Sequence, residues 1–305
     1  IKATLYLFVP YIAFKNFFDD IVINEKHVYL FAFIYIIGSF YDAIYVNYFL
    51  SPEYSSIIGL PLVYEILPIT VLFGIAFLTS YSYTKMLFVV FFLWEVVSSF
   101  NRGNIGNIFR IGLAISTYLL VRIKQTQATR IVSFILFFYL IVIALPVVLY
   151  YINIPFFGDI KKLGWEIRRL EVVNFFLNSI ENFPIIIGKG LGSTWTEIVS
   201  TGGGIYSYGP FQYSDNKFIW HNTLAGAFYK FGVLGSLLLI YFLSTIASKL
   251  VANYQKMQNK IPLLLAYLVI VFVMSNVNGI GILKGALLSS IILFMCDRVL
   301  ASRTK

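Results

Sequence analysis

Charge is scarce in this chain. Asp, Glu, Lys and Arg make up only 12% of its 305 residues, against roughly 25% in soluble domains. A soluble fold of this length needs polar residues to face water, so a water-soluble globule is excluded. Cysteine is almost absent, and the lone Cys296 rules out both a disulfide framework and a Cys-based metal site. The two histidines, His27 and His221, are too few and too scattered for a zinc site. No internal repeat with a period of roughly 20 to 50 residues and no low-complexity stretch is present. The first residues lack a basic flank and a small-residue cleavage site, so no signal peptide is read.

What fills the chain is apolar. Hydrophobic residues reach 59%, aromatics 18%, and the mean hydropathy is +0.82. Lipid is the natural solvent for such a composition. Crossing a hydrocarbon core of ~30 Å takes ~20 helical residues. Runs of about that length fall at 28–50, 57–79, 86–100, 104–121, 130–152, 220–247, 261–279 and 282–300. A ninth run, 1–14, is short and starts at Ile1 without an initiator Met, as expected of a remnant of a longer chain. The fold class expected is therefore an all-α polytopic membrane protein with about nine transmembrane helices. Its parts are N-terminal spans over 1–152, a long loop over 153–219 and C-terminal spans over 220–305, integrated in one membrane domain.

Lys and Arg in short loops orient the spans. The segment with Arg122, Lys124 and Arg130, the segment with Lys249, Lys256 and Lys260, and the tail with Arg298, Arg303 and Lys305 all fall on one side. That side is expected to be cytoplasmic and the 153–219 loop extracytoplasmic. The net charge of +9 is then an anchor set facing the inside and anionic headgroups, and nucleic acid is not needed as a partner.

The long loop reads in three parts. Leu163, Ile167, Leu170, Phe176 or Leu177, and Ile180 recur at helical spacing with Lys161, Lys162, Arg168 and Glu171 between them, which predicts an amphipathic helix on the membrane surface. "PIIIGKGLGS" predicts a tight glycine turn, its glycines permitting positive φ and close approach to a ligand or a neighbouring helix. "TGGGIYSYGPFQYSDNK" predicts irregular chain. A dinucleotide reading of the glycine turn fails, because the loop is too short for the sheet that such a motif serves. Ionisable residues within spans are costly and usually functional. Asp42, Glu65, Glu95, Arg102, Arg110 and Lys284 fall in the outer half of the bilayer by this topology, with Lys230 deeper. Mutual pairing, such as Glu95 with Arg110, competes with the reading that they line a polar cavity open to the outer leaflet.

Three stretches together carry a resemblance. The first is "SSFNRGNIGNIFRIGLAI", a break between spans with Arg102 at the outer lip. The second is "RRLEVVNFFLNSIENFPIIIGKGLGS", an arginine heading the amphipathic helix before Pro184 and Gly188-x-Gly190-x-Gly192. The third is "HNTLAGAFYKFGVLGSLLLIYFL", with His221 and Asn222 opening a span that contains Gly232 and Gly235. In this order and topology, over about residues 95 to 300, the chain resembles the O-antigen ligase and polymerase superfamily of bacterial membrane glycosyltransferases. Asn101 stands where that family usually has Ser before its lip arginine.

The resemblance implies an enzyme of the bacterial cytoplasmic membrane with its active site facing the exterior. It would move a glycan from an undecaprenyl-diphosphate carrier to a hydroxyl of an acceptor glycan or lipid A-core, with no metal ion and no cofactor. Such chemistry needs fixed cations to meet the charge that grows on the leaving diphosphate. Arginine suits this, since its planar fork grips phosphate bidentately and stays protonated. Arg102 and Arg169 are the candidates by resemblance, with Arg168 a rival of Arg169. A neutral imidazole can take the acceptor's proton near neutral pH, and His221 is the candidate base. Asn222, Arg110 and Glu95 are possible supports.

Polymerisation of surface polysaccharide repeat units is the leading expectation and ligation to a lipid core the alternative. A transporter or flippase of lipid-linked sugars would show paired broken helices in two related halves, which the sequence lacks. The plainer alternatives are that His221 is an ordinary boundary residue, that Arg102 is an interfacial anchor, that Arg168 and Arg169 hold the surface helix to lipid phosphates, and that Gly232 and Gly235 serve tight helix packing.

Overall fold

The computed structural model describes residues 2–18, 20–24, 26–28, 30, 33, 73–75, 77–78, 85–90, 92–93, 105–123, 126–151, 165–180, 185–190, 193–196, 198–199, 216–217, 223–257, 260–275 and 283–301. Over these residues the chain is mostly helical. The elements are α1 (Lys2–Phe17), α2 (Ile105–Arg122), α3 (Ala128–Tyr151), α4 (Trp165–Ile180), the short strands β1 (Trp195–Thr196) and β2 (Asn216–Lys217), α5 (Thr223–Met257), α6 (Ile261–Ser275) and α7 (Leu283–Ala301). The strands pair antiparallel, Trp195 opposite Lys217 and Thr196 opposite Asn216. That ribbon departs from the all-α expectation.

Helix α6 is the pillar. Its sequence is apolar on every side, and Leu263 through Val271 are all at most 4% exposed. A helix without a polar face must be surrounded, and α2, α3, α5 and α7 all pack on it. The helical residue Gly74 also meets it, since a Cβ there would lie 2.5 Å from the Tyr267 ring. The fully buried Tyr139 of α3 places its hydroxyl by donating to the Val273 carbonyl of α6 at 2.5 Å.

Hairpins and contacts fix the direction of each helix. Thr126 closes the α2–α3 hairpin, its hydroxyl donating to the Ile123 carbonyl at 2.8 Å and the Leu120 carbonyl at 3.0 Å. Both are carbonyls of the helix end, and the Leu120 carbonyl also accepts the Ile123 N–H at 3.2 Å. Pro262, second residue of α6, suits a helix start because no intrahelical donor is needed there. Lys15 of α1 pairs with Asp297 of α7 at 3.5 Å, and Phe14 contacts Phe294 with centroids 6.0 Å apart, so α1 and α7 end together. One end of the bundle thus gathers the ends of α1, α2, α5 and α7 with the starts of α3 and α6. Lys15, Arg122, Arg130, Lys249, Lys256, Lys260 and Arg298 lie at this end.

The expected loop around Lys249 to Lys260 is corrected in part. Helix α5 runs on through Met257, because Ala247, Leu250 and Val251 keep its apolar stripe buried. Phe228–Met257 is the one helix among the described residues that is long and apolar enough to cross a membrane. Shorter apolar helices cover Ile111–Arg122, Ala128–Ile141 and Ile261–Val271.

Candidate functional site

At the end away from the cation cluster, α4, β1, the glycine turn and the first turns of α5 are joined by polar contacts. The joint begins with two asparagines one turn apart on α4. The Asn178 amide behaves like a strand edge: its nitrogen donates to the Thr196 carbonyl at 2.8 Å and its oxygen accepts the Thr196 N–H at 3.0 Å. Asn174 is fully buried. Its oxygen accepts the N–H groups of Ile198 and Val199, both at 2.8 Å, and its nitrogen donates to the Val199 carbonyl at 2.7 Å. An irregular segment therefore finds on a helix face the partners that a sheet would supply.

The second contact is with α5. Tyr229, 1% exposed, donates its hydroxyl to the Thr194 carbonyl at 2.9 Å. Beside it α5 is broken: Gly232 has φ 64° and ψ −173°, which no helical residue adopts. A break frees carbonyls before it and N–H groups after it, and the turn 185–190 supplies the missing partners. Lys189 and Gly190 donate to the carbonyls of Tyr229 and Lys230, both at 2.9 Å. Val233 and Leu234 donate to the carbonyls of Ile185 and Ile186 at 2.8 and 3.1 Å. Gly188 and Gly190 have φ of 70° and 89°. A Cβ on Gly188 would lie 2.6 Å from the Lys230 carbonyl carbon, and one on Gly232 would lie 2.5 Å from the Gly188 nitrogen. The turn is thus seated in the broken helix, backbone to backbone. Gly232 serves neither an intact helix nor helix packing, and Gly235 is crowded by Phe231 of its own helix, 2.9 Å from where a Cβ would be.

Arg168 and Arg169 are the fourth and fifth residues of α4. Arg169 is half-buried, with its Nε shielded from solvent. It lies about 140° round the helix from Asn174 at ~100° per residue, on the side where Val172 is also buried. The plain expectation of a helix resting on lipid is therefore modified: α4 is covered on two sides, by α3 and by the 194–199 segment. Arg110 is the sixth residue of α2. His221, Asn222, Arg102 and Glu95 lie outside the described residues, as do Asp42 and Glu65. Helix α5 begins at Thr223, two positions after His221.

Compared with known protein families, curated proteins and solved structures, the chain matches none. The functional reading rests on its own residues. Sequence reasoning missed Asn174, Asn178 and Tyr229. The asparagine pair at four-residue spacing within an otherwise apolar stretch, "NFFLN", was the available signal, since amides so spaced share one helix face.

Proposed function

We propose that the protein is a multi-pass membrane glycosyltransferase of the bacterial cytoplasmic membrane, moving a glycan from an undecaprenyl-diphosphate carrier to an acceptor hydroxyl on the outer side. Polymerisation of surface polysaccharide repeat units is the leading form and ligation to lipid A-core the alternative. One observation carries the reading. Helix α4, which bears Arg168 and Arg169, is bonded through Asn174 and Asn178 to the 194–199 segment, and Tyr229 ties that segment to the start of α5. The helix carrying Arg168 and Arg169 and the helix that begins two positions after His221 are thereby one assembly. That assembly lies at the end of the bundle opposite the short hairpins that carry Arg122, Arg130, Lys256 and Lys260, which is the outer end if those hairpins face the cytoplasm.

In this mechanism His221 accepts the proton of the acceptor hydroxyl, whose oxygen displaces the diphosphate at the anomeric carbon in one step. Arg102 and Arg169 stabilise the departing diphosphate. Arg169 is half-buried with its Nε out of solvent, on a covered part of α4, which favours this role over a bare lipid anchor.

The decisive experiment compares surface glycan on gels from cells carrying wild-type protein or His221→Ala. Loss of polymer or ligated bands at normal protein level is expected, with activity falling about 10²- to 10⁴-fold, the usual worth of a general base. Unchanged glycan rejects His221 as the base. In a deletion strain, single-repeat caps identify a polymerase, whereas polymer stranded on its carrier identifies a ligase. Arg169→Lys is expected to lose about tenfold or more in the same assay, since a point charge lacks the two-pronged grip. Full activity would remove the bidentate argument.

A further inference from the structure

Three consecutive isoleucines form the first half of the seated turn. Ile185, Ile186 and Ile187 are 60%, 68% and 67% exposed. Turns that face water are built from Gly, Pro, Asn, Asp and Ser, and these three positions hold none of them. The neighbouring surface is apolar as well. Past the Gly232 break, Leu234, Leu237, Leu238 and Tyr241 of α5 are exposed at three- and four-residue spacing, which makes one lengthwise stripe. That stripe belongs to the helix long and apolar enough to cross a membrane. Val233 and Leu234 donate to the Ile185 and Ile186 carbonyls at 2.8 and 3.1 Å, so the isoleucines lie directly beside the head of the stripe.

Helix length sets the depth of this joint. A hydrocarbon core of ~30 Å takes ~20 helical residues. Lys249 and Lys256, both exposed, mark the cation-bearing end of α5. Counting ~20 residues back from each reaches Tyr229 and Ser236, and the Gly232 break lies between them. The joint therefore sits at the far border of the core. Backbone groups at such a depth have little water to bond and must be paired inside the protein. The turn meets that demand. The Ile185 and Ile186 carbonyls and the Lys189 and Gly190 N–H groups all close on the broken helix. The Gly190 carbonyl accepts both the hydroxyl of Ser193 at 2.6 Å and its N–H at 3.1 Å. Lys189 holds its Nζ 5.1 Å from the Tyr229 ring centroid, an arrangement suited to the headgroup border, where aromatic rings and long cationic side chains collect.

We propose that the turn 185–190 is inserted in the membrane: Ile185, Ile186 and Ile187 dip into the acyl chains of the leaflet at this end of the bundle. The 194–199 segment, tied to α5 before the break by Tyr229, stands outside the hydrocarbon. The long segment 153–219 is then not a wholly aqueous loop, because its glycine turn plugs a broken helix at the lipid border. The inference rests on the multi-pass membrane reading, and neither the enzymatic activity nor the orientation enters it.

The test is spin labelling of the full chain in phosphatidylcholine nanodiscs, with one introduced cysteine at a time: Ile186→Cys, Leu238→Cys or Ile198→Cys. All three wild-type side chains are more than half exposed, so burial in protein does not separate them, and Cys296 is buried. Power saturation compares collisions with oxygen, which concentrates among acyl chains, and with a nickel chelate, which stays in water. The label at 186 is expected to meet oxygen and be shielded from nickel, at about 5–10 Å below the headgroups, the depth to which apolar interfacial faces sink. The label at 238 should lie deeper, and the label at 198 should meet nickel. Ile187→Cys repeats the measurement if Ile186→Cys folds poorly. Nickel access at 186 equal to that at 198 would overturn the inference and make the turn aqueous. Few collisions with either reagent at 186 would overturn it as well, because protein, a second copy included, then covers the isoleucines. Nickel access at 238 would instead reject the membrane reading itself, which keeps the two failures apart.

Discussion

Gly188, Gly190 and Gly232 all have positive φ, yet their surroundings differ and so should the cost of replacing them. An added Cβ at Gly190 meets nothing within 4 Å, leaving only the left-handed penalty of roughly 1–2 kcal/mol for an L-residue. At Gly188 and Gly232 the Cβ would also overlap the other strand of the joint, and backbone atoms cannot swing aside as a side chain tip can. Thermal unfolding in detergent should therefore rank Gly190→Ala as mild and Gly188→Ala and Gly232→Ala as clearly worse. Equal losses at all three would refute the seated turn. Asn174 offers a second residue-scale test. Replacing it with Leu strands the N–H groups of Ile198 and Val199 and the Val199 carbonyl, each worth about 1–3 kcal/mol if left buried without a partner. The expected outcome is fast amide exchange across 194–199 with α6 unaffected. Protection retained there would mean that the segment is held by something else.

At the scale of elements, α5 is two helices joined at Gly232 and held in register by the turn 185–190. Its upper piece is bonded to the 194–199 segment through Tyr229, and the helix as a whole packs on α3, α4, α6 and α7. The joint has donors and acceptors on both sides, so the Val233 and Leu234 amides should exchange slowly although they follow a break. Fast exchange at those two amides would indicate a continuous helix or a turn that is not seated. Apolar spacing made most helices legible: α2, α3, α6 and α7 each begin and end within a few residues of a run read from the chain, apart from the later part of the run at 261–279, which lies beyond the described residues. The break was not legible. Phe-Gly-Val-Leu-Gly fits an ordinary apolar helix, and only the arrival of a second backbone shows why glycine stands at 232. The end of α5 was misjudged for the opposite reason, because Lys249 and Lys256 suggested a loop while Leu250 and Val251 continue the buried face.

At the scale of the molecule, the cations of the α2–α3 and α5–α6 hairpins lie at one end, and the polar joint, which carries Arg168, Arg169, Lys189 and Lys230, lies at the other. Cys296, 1% exposed, is the only thiol, so single introduced cysteines can map sidedness with little background. Gln127→Cys and Met257→Cys should react with an impermeant maleimide only after the cytoplasmic face is opened, and Ile198→Cys should react in intact cells or spheroplasts. All three wild-type positions are exposed, so silence is not expected from burial. Labelling of the 194–199 segment from the cytoplasmic side alone would invert the proposed orientation and remove the external glycosyltransferase with it.

Composition and spacing alone determined that the chain is helical and apolar, where most helices run, and that cations collect in particular hairpins. Those are local properties: burial of an apolar face follows from period, and charge follows from the residue list. The sequence also marked a glycine turn, but not what the turn was for. Only the tertiary structure decided that it enters a broken helix, that two asparagines stand in for a strand, and that Tyr229 ties the 194–199 segment to α5. Each of those depends on backbone from one part of the chain meeting backbone from another, and such meetings leave no periodic trace in the order of residues.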